Sequence, residues 1–185
     1  MPLSQISVRL LLSFGLSLTL SLGAGVGLAR ADDPCAAFTW DVHHERGLFG
    51  TTPHIVSGGL TADAAPALAA DRLYQVELTA QSAVKFVEPP GRNRGTGGAF
   101  AGLARLTVDT AGVYRISLDR PLWVDVIANA SVVAAKDFQG RPGCNAPHKI
   151  VEFLLPAGTP ITLQFSGSSA AVVKVTVTRS PGGTS

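Results

Sequence analysis

The sequence predicts an all-β fold, a single-domain antiparallel β-sandwich or jelly-roll of about seven to nine strands with little helix. Three observations favour this fold. Apolar and polar residues alternate with a period of two in several segments, and turn formers separate these segments about every 8 to 15 residues. The segments also do not alternate with long helical patterns, which argues against βαβ units.

Four segments show the clearest alternation. In RLYQVELTA (72–80), the apolar Tyr74, Val76 and Leu78 alternate with polar neighbours, which is the pattern of a strand with one buried face. The same pattern recurs in GVYRISLD (112–119), PITLQFS (160–166) and AVVKVTVTR (171–179). We expect one face of each strand to lie in the core and the polar face to meet solvent.

Five further segments are less regular but rich in β-branched or aromatic residues, and we predict them as strands too. They are SAVKFVE (82–88), LARLTVD (103–109), LWVDVIA (122–128), SVVAAKDF (131–138) and KIVEFLL (149–155). The N-terminal CAAFTWDVHHERGLF (35–49) is compatible with two structures. Phe38, Trp40 and Val42 alternate as in an edge strand, and a helix from Thr39 to Phe49 is the alternative.

Residues 1–31 have the layout of a secretory signal peptide. A short segment that ends at Arg9 precedes an apolar run, and Ala29, Arg30 and Ala31 form a small-residue cleavage site. We expect cleavage after Ala31, which would give a periplasmic or secreted protein with no membrane span. A retained membrane anchor is the alternative, because the run approaches the roughly 18 residues that can cross a bilayer.

Removal of this leader changes the charge as well as the length. It leaves 154 residues, 185 minus 31, which suits one domain with a substantial core. The 15 Lys and Arg of the precursor fall to 13, equal to the 13 Asp and Glu. A neutral chain without a clustered basic face argues against nucleic-acid binding. We predict an N-terminal segment (32–71) packed on the sandwich, a sandwich core (72–179) and a disordered tail (180–185).

The chain contains two cysteines, Cys35 and Cys144. In an exported protein two cysteines most often form a disulfide. This pairing would pin the N-terminal segment to the turn-rich stretch GRPGCNAP (140–147) between two predicted strands. Closing a loop of more than a hundred residues stabilises the fold by on the order of 4 to 5 kcal/mol in the chain-entropy model.

The histidines raise the alternative of a metal centre. The HHE motif places His43 and His44 beside Glu45, and His148 directly precedes a predicted strand. Two histidines and one carboxylate are the ligands of non-haem iron oxygenases and dioxygenases. Neighbouring residues of a strand point to opposite faces, however, and His148 and Glu152 would lie about 13 Å apart along one. A metal-dependent enzyme built on His43, His44, Glu45 and His148 is therefore the alternative to a protein without a cofactor.

Three residues are candidates for ligand binding: Trp123, Asp125 and His148. In LWVDVIA, Trp123 shares a strand face with Asp125, opposite the apolar residues of the same strand. A tryptophan beside an acid on an outer face can stack on a sugar or a partner side chain. The alternatives are a central strand buried on both faces and cover of Trp123 by the N-terminal segment, and we expect the cover. His148 lies at a strand start, where it is either a capping histidine or the edge of a binding site.

Two motifs are shared with a known family. AGVYRISL (111–118) contains a Gly-x-Tyr strand, and FLLPAGTPITLQFSGSSAAVVKVTVT (153–178) contains a Pro-Ala-Gly-Thr hairpin. With these motifs, the region from about Phe100 to Arg179 resembles the bacterial pre-peptidase C-terminal type of β-sandwich domain, and the whole chain resembles stand-alone exported bacterial proteins. The matching residues are Gly112, Tyr114, Pro156, Ala157, Gly158, Thr159 and Gly167.

The resemblance implies a β-sandwich. The chain departs from the family where DFQGRPGCNAPHKIVEF (137–153) replaces an acidic D-x-D-L-Y segment, so the family's calcium and carbohydrate roles are not carried over. There is also no G-x-S-x-G nucleophile motif. The leading hypothesis is a non-enzymatic binding or accessory module of the cell envelope, with an unidentified envelope protein or glycan as partner. The alternatives are the metal-dependent enzyme and a carbohydrate-binding module that uses Trp123.

Overall fold

The computed structural model describes residues 33–92 and 98–182. The predicted signal peptide and the end of the predicted disordered tail lie outside this part of the chain. The helix and strands are α1 His43–Phe49, β1 His54–Ser57, β2 Ala67–Leu68, β3 Leu73–Glu77, β4 Thr79–Ala80, β5 Phe100–Leu106, β6 Gly112–Leu118, β7 Trp123–Ala128, β8 Ser131–Val133, β9 Ala135–Gly140, β10 Lys149–Leu155, β11 Ile161–Ser168 and β12 Val172–Arg179. Short 3-10 helices occupy Pro34–Ala37 and Gln81–Ala83. Within the described residues, no helix has the length and apolar character needed to cross a membrane.

The strands form two sheets that pack as a sandwich, so the predicted fold class is confirmed. Sheet A has the order β1-β3-β12-β6-β10-β9, and sheet B has the order β2-β5-β11-β7-β8 with β4 paired to β5. Nine strands have four residues or more, and the other three have two or three. The sheets are mixed rather than purely antiparallel, because β1 pairs with β3 and β2 with β5 in parallel. Both β1 and β2 precede residue 72, so the N-terminal segment supplies strands to the sandwich.

The core lies between the two sheets and is filled by the residues that the period-two alternation predicts to face inward. Tyr74 and Val76 of β3, Ile116 of β6 and Phe165 of β11 belong to one continuous cluster, and Val76, Ile116 and Phe165 are fully buried. All four segments with the clearest alternation form strands. The alternation therefore identified the core side of each strand, because one strand face always lies against the opposite sheet.

The outer face of sheet A is covered by α1, so the expectation that the polar face of β6 meets solvent is wrong. Arg115 is only 4% exposed. Its Nε donates to Glu152 Oε1 on β10 at 3.0 Å, and its Nη1 donates to Glu45 Oε1 on α1 at 3.4 Å. Thr178 on β12 donates to the same Glu45 oxygen at 2.8 Å. Burial of the arginine is possible because the helix brings a second carboxylate over it.

The N-terminal segment contains the helix that was predicted as one of two alternatives, but this helix begins later than Thr39. The helix α1 begins at His43, and the predicted edge strand through Phe38, Trp40 and Val42 is wrong. Trp40 instead lies against the buried arginine of β6, with 4.9 Å between the guanidinium carbon of Arg115 and the ring centroid. Packing on sheet A therefore replaces strand pairing in this segment.

The outer face of sheet B is covered by residues 81–91, and the strand predicted at SAVKFVE is wrong. This segment is a 3-10 turn followed by extended chain whose backbone pairs with a side chain. Gln164 of β11 is fully buried, and its Oε1 accepts from the backbone N–H groups of Val87 at 2.6 Å and Glu88 at 3.2 Å. Its Nε2 donates to the Glu88 carbonyl oxygen at 3.0 Å. One buried amide thus satisfies three backbone groups that a neighbouring strand would otherwise satisfy.

The sandwich is open at the edge where β7, β8 and β9 meet. In the described part of the chain, β8 pairs only with the second half of β7, from Val126 to Ala128. The chain then passes through Ala134 into sheet A, where β9 pairs with β10 as the edge strand. The segment SVVAAKDF is therefore two strands in different sheets, and its prediction as one strand is wrong. This crossing leaves a gap between the sheets beside the first half of β7.

Candidate binding cleft

A cleft of about 550 Å³ occupies this open edge, between the beginning of β7, the strands β8 and β9, and the beginning of β10. Its volume lies in the range of small-molecule sites, about 300 to 1,000 Å³. The three candidates for ligand binding, Trp123, Asp125 and His148, all line this cleft. They come from a strand of sheet B and from the turn before a strand of sheet A. The fold therefore brings them together across the sandwich.

The walls of the cleft are mainly apolar. Val151 and Phe153 of β10 line it and are 5% and 2% exposed, whereas Phe138 of β9 and Val132 of β8 are 66% and 53% exposed. Phe138 lies directly opposite Val151 in the β9/β10 pairing, so both side chains project from the same face of sheet A. Large apolar side chains left exposed at the mouth of a concave surface are typical of an interaction site.

Trp123 and Asp125 form a hydrogen-bonded pair, as their shared strand face allows. The indole Nε1 donates to Asp125 Oδ1 at 2.7 Å. The other carboxylate oxygen, Oδ2, accepts from the backbone N–H of Gly91 at 3.1 Å, and Asp125 is 6% exposed. The predicted cover by the N-terminal segment is wrong, because the chain that contacts the pair is the end of the 81–91 segment. This pairing fixes the orientation of the indole, because its N–H is bound to a carboxylate that the backbone also holds.

Lys149, the first residue of β10, places a positive charge beside this pair. Its Nζ lies 5.0 Å from the centroid of the Trp123 ring, within the range of a cation–π interaction. The same ammonium donates to the carbonyl oxygen of Leu122 at 3.3 Å. Lys149 alternates with Val151 and Phe153 on one strand face. The side chain therefore starts on the strand face that carries the apolar wall, and its ammonium lies near the indole.

His148 is held by the turn that connects β9 to β10. Its Nδ1 lies 3.2 Å from the carbonyl oxygen of Cys144, and its backbone N–H donates to Leu118 O at 2.8 Å. A carbonyl oxygen can only accept, so Nδ1 carries the proton. The predicted disulfide between Cys35 and Cys144 is confirmed, with 5.0 Å between the two Cα atoms. The bridge thus fastens the N-terminal segment to the same turn that presents His148 to the cleft.

The structure does not bring the four residues of the alternative metal centre together. His43 lines a separate cleft in the N-terminal segment, and the Nε2 of His44 lies 2.8 Å from Asp71 Oδ1. Glu45 is buried against Arg115 and Thr178, and His148 lies at the open edge of the sandwich. Across residues 33–92 and 98–182, no three His, Cys, Asp or Glu side chains are grouped so that they could hold a metal ion. The spacing of the histidines in the sequence therefore does not correspond to a common site.

Two other clefts have less suitable walls. One, of about 830 Å³, lies beside β2 and β5 and is lined by exposed side chains of both charges, among them Asp71, Arg105, Asp109 and Arg179. The other, of about 510 Å³, lies within the N-terminal segment. Ligand sites are usually apolar concavities with a few convergent polar groups. The cleft at the open edge fits that description better than the other two.

Sequence reasoning did not identify Phe138, Lys149 or Gly91 as parts of this site. Phe138 was not identified because SVVAAKDF has the pattern of a single strand. No turn former at Ala134 indicates that the chain passes from one sheet to the other at that point. Lys149 was not identified as part of the site because a lysine at the start of a strand is a common surface residue. Gly91 lies more than thirty positions from Asp125, and only the covering segment of sheet B brings the two together.

No protein-family model and no curated protein matches this chain.

Proposed function

We propose that this protein is an exported, non-enzymatic binding module of the cell envelope, and that its ligand occupies the cleft at the open edge of the sandwich. One observation carries the proposal. Trp123 and Asp125, which the sequence singled out as a pair, line the same apolar cleft as His148, and the exposed ring of Phe138 lies at its mouth. The proposed ligand is a small molecule with an apolar body.

The energetic argument rests on apolar surface that folding leaves in water. Burial of such surface is favourable by roughly 25 cal/mol per Å². Phe138 and Val132 keep most of their side-chain surface exposed beside a floor that already excludes water. An apolar ligand in the cleft would cover both side chains, and it would not have to displace a packed segment of the described chain.

The carbohydrate alternative has weaker support. A sugar stacks on the open face of an aromatic ring, and the Trp123 ring has the Lys149 ammonium 5.0 Å from its centroid and its N–H bound to Asp125. Apart from Arg92 and His148, the remaining wall residues are glycines or carry aliphatic or phenyl groups. These groups offer few of the hydrogen bonds that sugar hydroxyls require.

The ligand proposal is tested with N-phenyl-1-naphthylamine, an uncharged apolar dye whose fluorescence rises when it leaves water. We expect saturable binding to the purified oxidised protein and an affinity about tenfold weaker in Phe138→Ser. Leu154→Ser is the matched control, because Leu154 is 53% exposed on the neighbouring strand and does not line the cleft. No saturable binding, or an equal loss in both variants, would contradict the proposal.

Export to the periplasm or the medium is the second part of the proposal. It is supported by the leader sequence and by the Cys35–Cys144 disulfide, because such bonds persist in oxidising compartments. Mass spectrometry of the protein recovered from cell fractions tests it. We expect a chain that begins at Asp32 in the periplasmic or secreted fraction. An intact chain in the cytoplasm would contradict this part of the proposal without affecting the dye experiment.

A further inference from the structure

Most of the polar side chains that line the cleft are already engaged in contacts within the protein. Both carboxylate oxygens of Asp125 accept, one from the indole N–H of Trp123 and the other from the Gly91 backbone N–H. The indole has a single N–H, so Trp123 has no further donor to offer. Lys149 is engaged as well, and its contacts include the Leu122 carbonyl oxygen and the Trp123 ring. These three side chains therefore hold the wall of the cleft together.

His148 differs from these side chains, because one of its ring nitrogens has no hydrogen-bond partner among the described residues. Its Nδ1 donates to the Cys144 carbonyl oxygen at 3.2 Å. A neutral imidazole carries a single proton, so the Nε2 of the same ring is an acceptor with a free lone pair. The cations of the lining, Arg92 and Lys149, can only donate, and the oxygens of Asp125 are engaged. Within the described lining, the Nε2 of His148 is therefore the free side-chain acceptor.

The position of His148 places this acceptor at one end of the apolar floor. The residue directly precedes β10, and its backbone N–H donates to Leu118 O at 2.8 Å while its carbonyl oxygen accepts from the Arg141 N–H at 2.9 Å. Val151, which forms part of the floor, lies three residues farther along, a distance of about 10 Å in extended chain. A ligand of about that length can contact the floor with its apolar body and the imidazole with its other end.

We propose that the cleft selects an uncharged apolar molecule that carries a hydroxyl group, and that the Nε2 of His148 accepts the hydrogen bond from this hydroxyl. This inference rests on the proposed function and specifies the ligand class for the same cleft. The selection acts against ligands that lack a donor. Such a ligand would displace the water that hydrogen-bonds to Nε2 and would leave the nitrogen without a partner in an apolar site, which lowers the affinity.

The test uses 2-naphthol and 2-methoxynaphthalene, which share one ring system and of which only the first can donate a hydrogen bond. Each is used to displace N-phenyl-1-naphthylamine from the oxidised protein at about pH 8, where histidine is neutral. The measured quantity is the ratio of the two affinities, because a general effect of a substitution on the cleft cancels in this ratio. In His148→Phe, which keeps an aromatic ring and removes the acceptor, the preference for 2-naphthol should fall roughly fivefold.

His54→Phe is the matched control, since His54 is an exposed histidine of β1 that does not line the cleft. It should leave the ratio within about twofold of the wild-type value. Octanol and octyl methyl ether repeat the comparison with an aliphatic body, and they distinguish an alcohol from a phenol as the preferred hydroxyl compound. Circular dichroism of each variant verifies that it is folded.

A second measurement needs no functional variant. In nitrogen NMR spectra of the wild-type protein labelled at histidine, we expect the Nε2 of His148 to have the resonance of an unprotonated ring nitrogen. The spectrum of His148→Phe serves only to assign this signal. Addition of 2-naphthol should shift the signal, and addition of 2-methoxynaphthalene should not, because the ether has no proton to donate.

Failure of the inference and failure of the proposed function give different results. If the ratio is the same in wild type and His148→Phe while Phe138→Ser weakens both compounds, the cleft binds apolar ligands without selecting a donor, and the inference is overturned. It is also overturned if His54→Phe lowers the ratio as much as His148→Phe does, or if the Nε2 of His148 carries the proton. If neither compound displaces the dye and dye binding does not respond to Phe138→Ser, the proposed function itself is overturned.

Discussion

The Nε of Arg115 lies 3.0 Å from Glu152 Oε1 on the adjacent strand, and the buried guanidinium also contacts α1 through Glu45. Glu45 supplies a second carboxylate at 3.4 Å, and the Asp41 carbonyl oxygen accepts from the same guanidinium at 2.7 Å. One arginine thus ties two strands of sheet A to the N-terminal segment. The sequence predicts that the Arg115 side chain faces solvent. In the structure it lies instead in the contact between α1 and sheet A.

Replacement of this arginine should be strongly destabilising. Arg115→Met leaves the buried Glu45 and the partly buried Glu152 without their cation, and breaking a buried ion pair costs about 3 to 5 kcal/mol. Urea unfolding of the oxidised protein measures the loss. Arg72→Met, at an exposed position, is the control and should change the free energy of unfolding by less than about 0.5 kcal/mol. A loss below about 1 kcal/mol for Arg115→Met would contradict this account of the contact.

Removal of Asp125 should destabilise the wall of the cleft. Asp125→Ala leaves the indole N–H of Trp123 and the backbone N–H of Gly91 without their acceptor, at a cost of about 1 to 3 kcal/mol. In a Trp40→Phe background, which leaves one tryptophan, we also expect a red shift of the emission as the indole reorients. The exposed Asp63→Ala is the comparison. Unchanged emission together with unchanged stability would show that the pair does not hold the indole.

A methyl group at Gly91 should disturb the same pair from the other side. A Cβ at this position would lie 2.9 Å from Asp125 Oδ1 and 3.1 Å from Trp123 Nε1. Gly91→Ala should therefore lower stability by about 1 to 3 kcal/mol and weaken dye binding. Gly140→Ala is the matched variant at a residue that also lines the cleft, because its Cβ would meet its nearest neighbour, the His148 carbonyl oxygen, at 3.7 Å. Equal effects of the two variants would refute the steric explanation.

Loss of the disulfide should lower stability by up to about 4 to 5 kcal/mol, because Cys35 and Cys144 are separated by 109 positions and their bond restricts the unfolded chain. The Cys35→Ser, Cys144→Ser double variant should show this loss in urea. The oxidised and reduced wild-type proteins provide an internal comparison. A difference below about 1 kcal/mol in both experiments would indicate that the bridge does not constrain the unfolded chain as the entropy model requires.

Asp33, whose carboxylate caps the 3-10 helix Pro34–Ala37, should contribute to acid sensitivity. The hydrogen bond from the Cys35 backbone N–H, followed by the bond from Arg46, lowers the pKa of Asp33 below its ordinary value of 3.8. A lowered folded-state pKa gives a stabilising contribution that is present above 3.8 and is lost as the pH falls through the folded-state value. The stability difference between wild type and Asp33→Asn should therefore shrink as the pH falls below about 4. A difference that grows in acid would reverse the assigned sign.

The sequence by itself determined the four strands with clear alternation and their inward faces. Tyr74, Ile116 and Phe165 lie in the core where the alternation places them, because the side-chain period of a strand is local and follows from the backbone alone. The disulfide was also predictable, since a chain with two cysteines has one available intramolecular pairing.

Only the tertiary structure decided which outer faces are covered and which residues meet at the open edge. Arg115 is buried by a helix about seventy positions away, and Asp125 accepts from Gly91 because a distant segment crosses sheet B. Phe138 remains exposed because the chain changes sheets at Ala134. These outcomes depend on contacts between segments far apart in the sequence, and a period-two pattern carries information about one strand at a time.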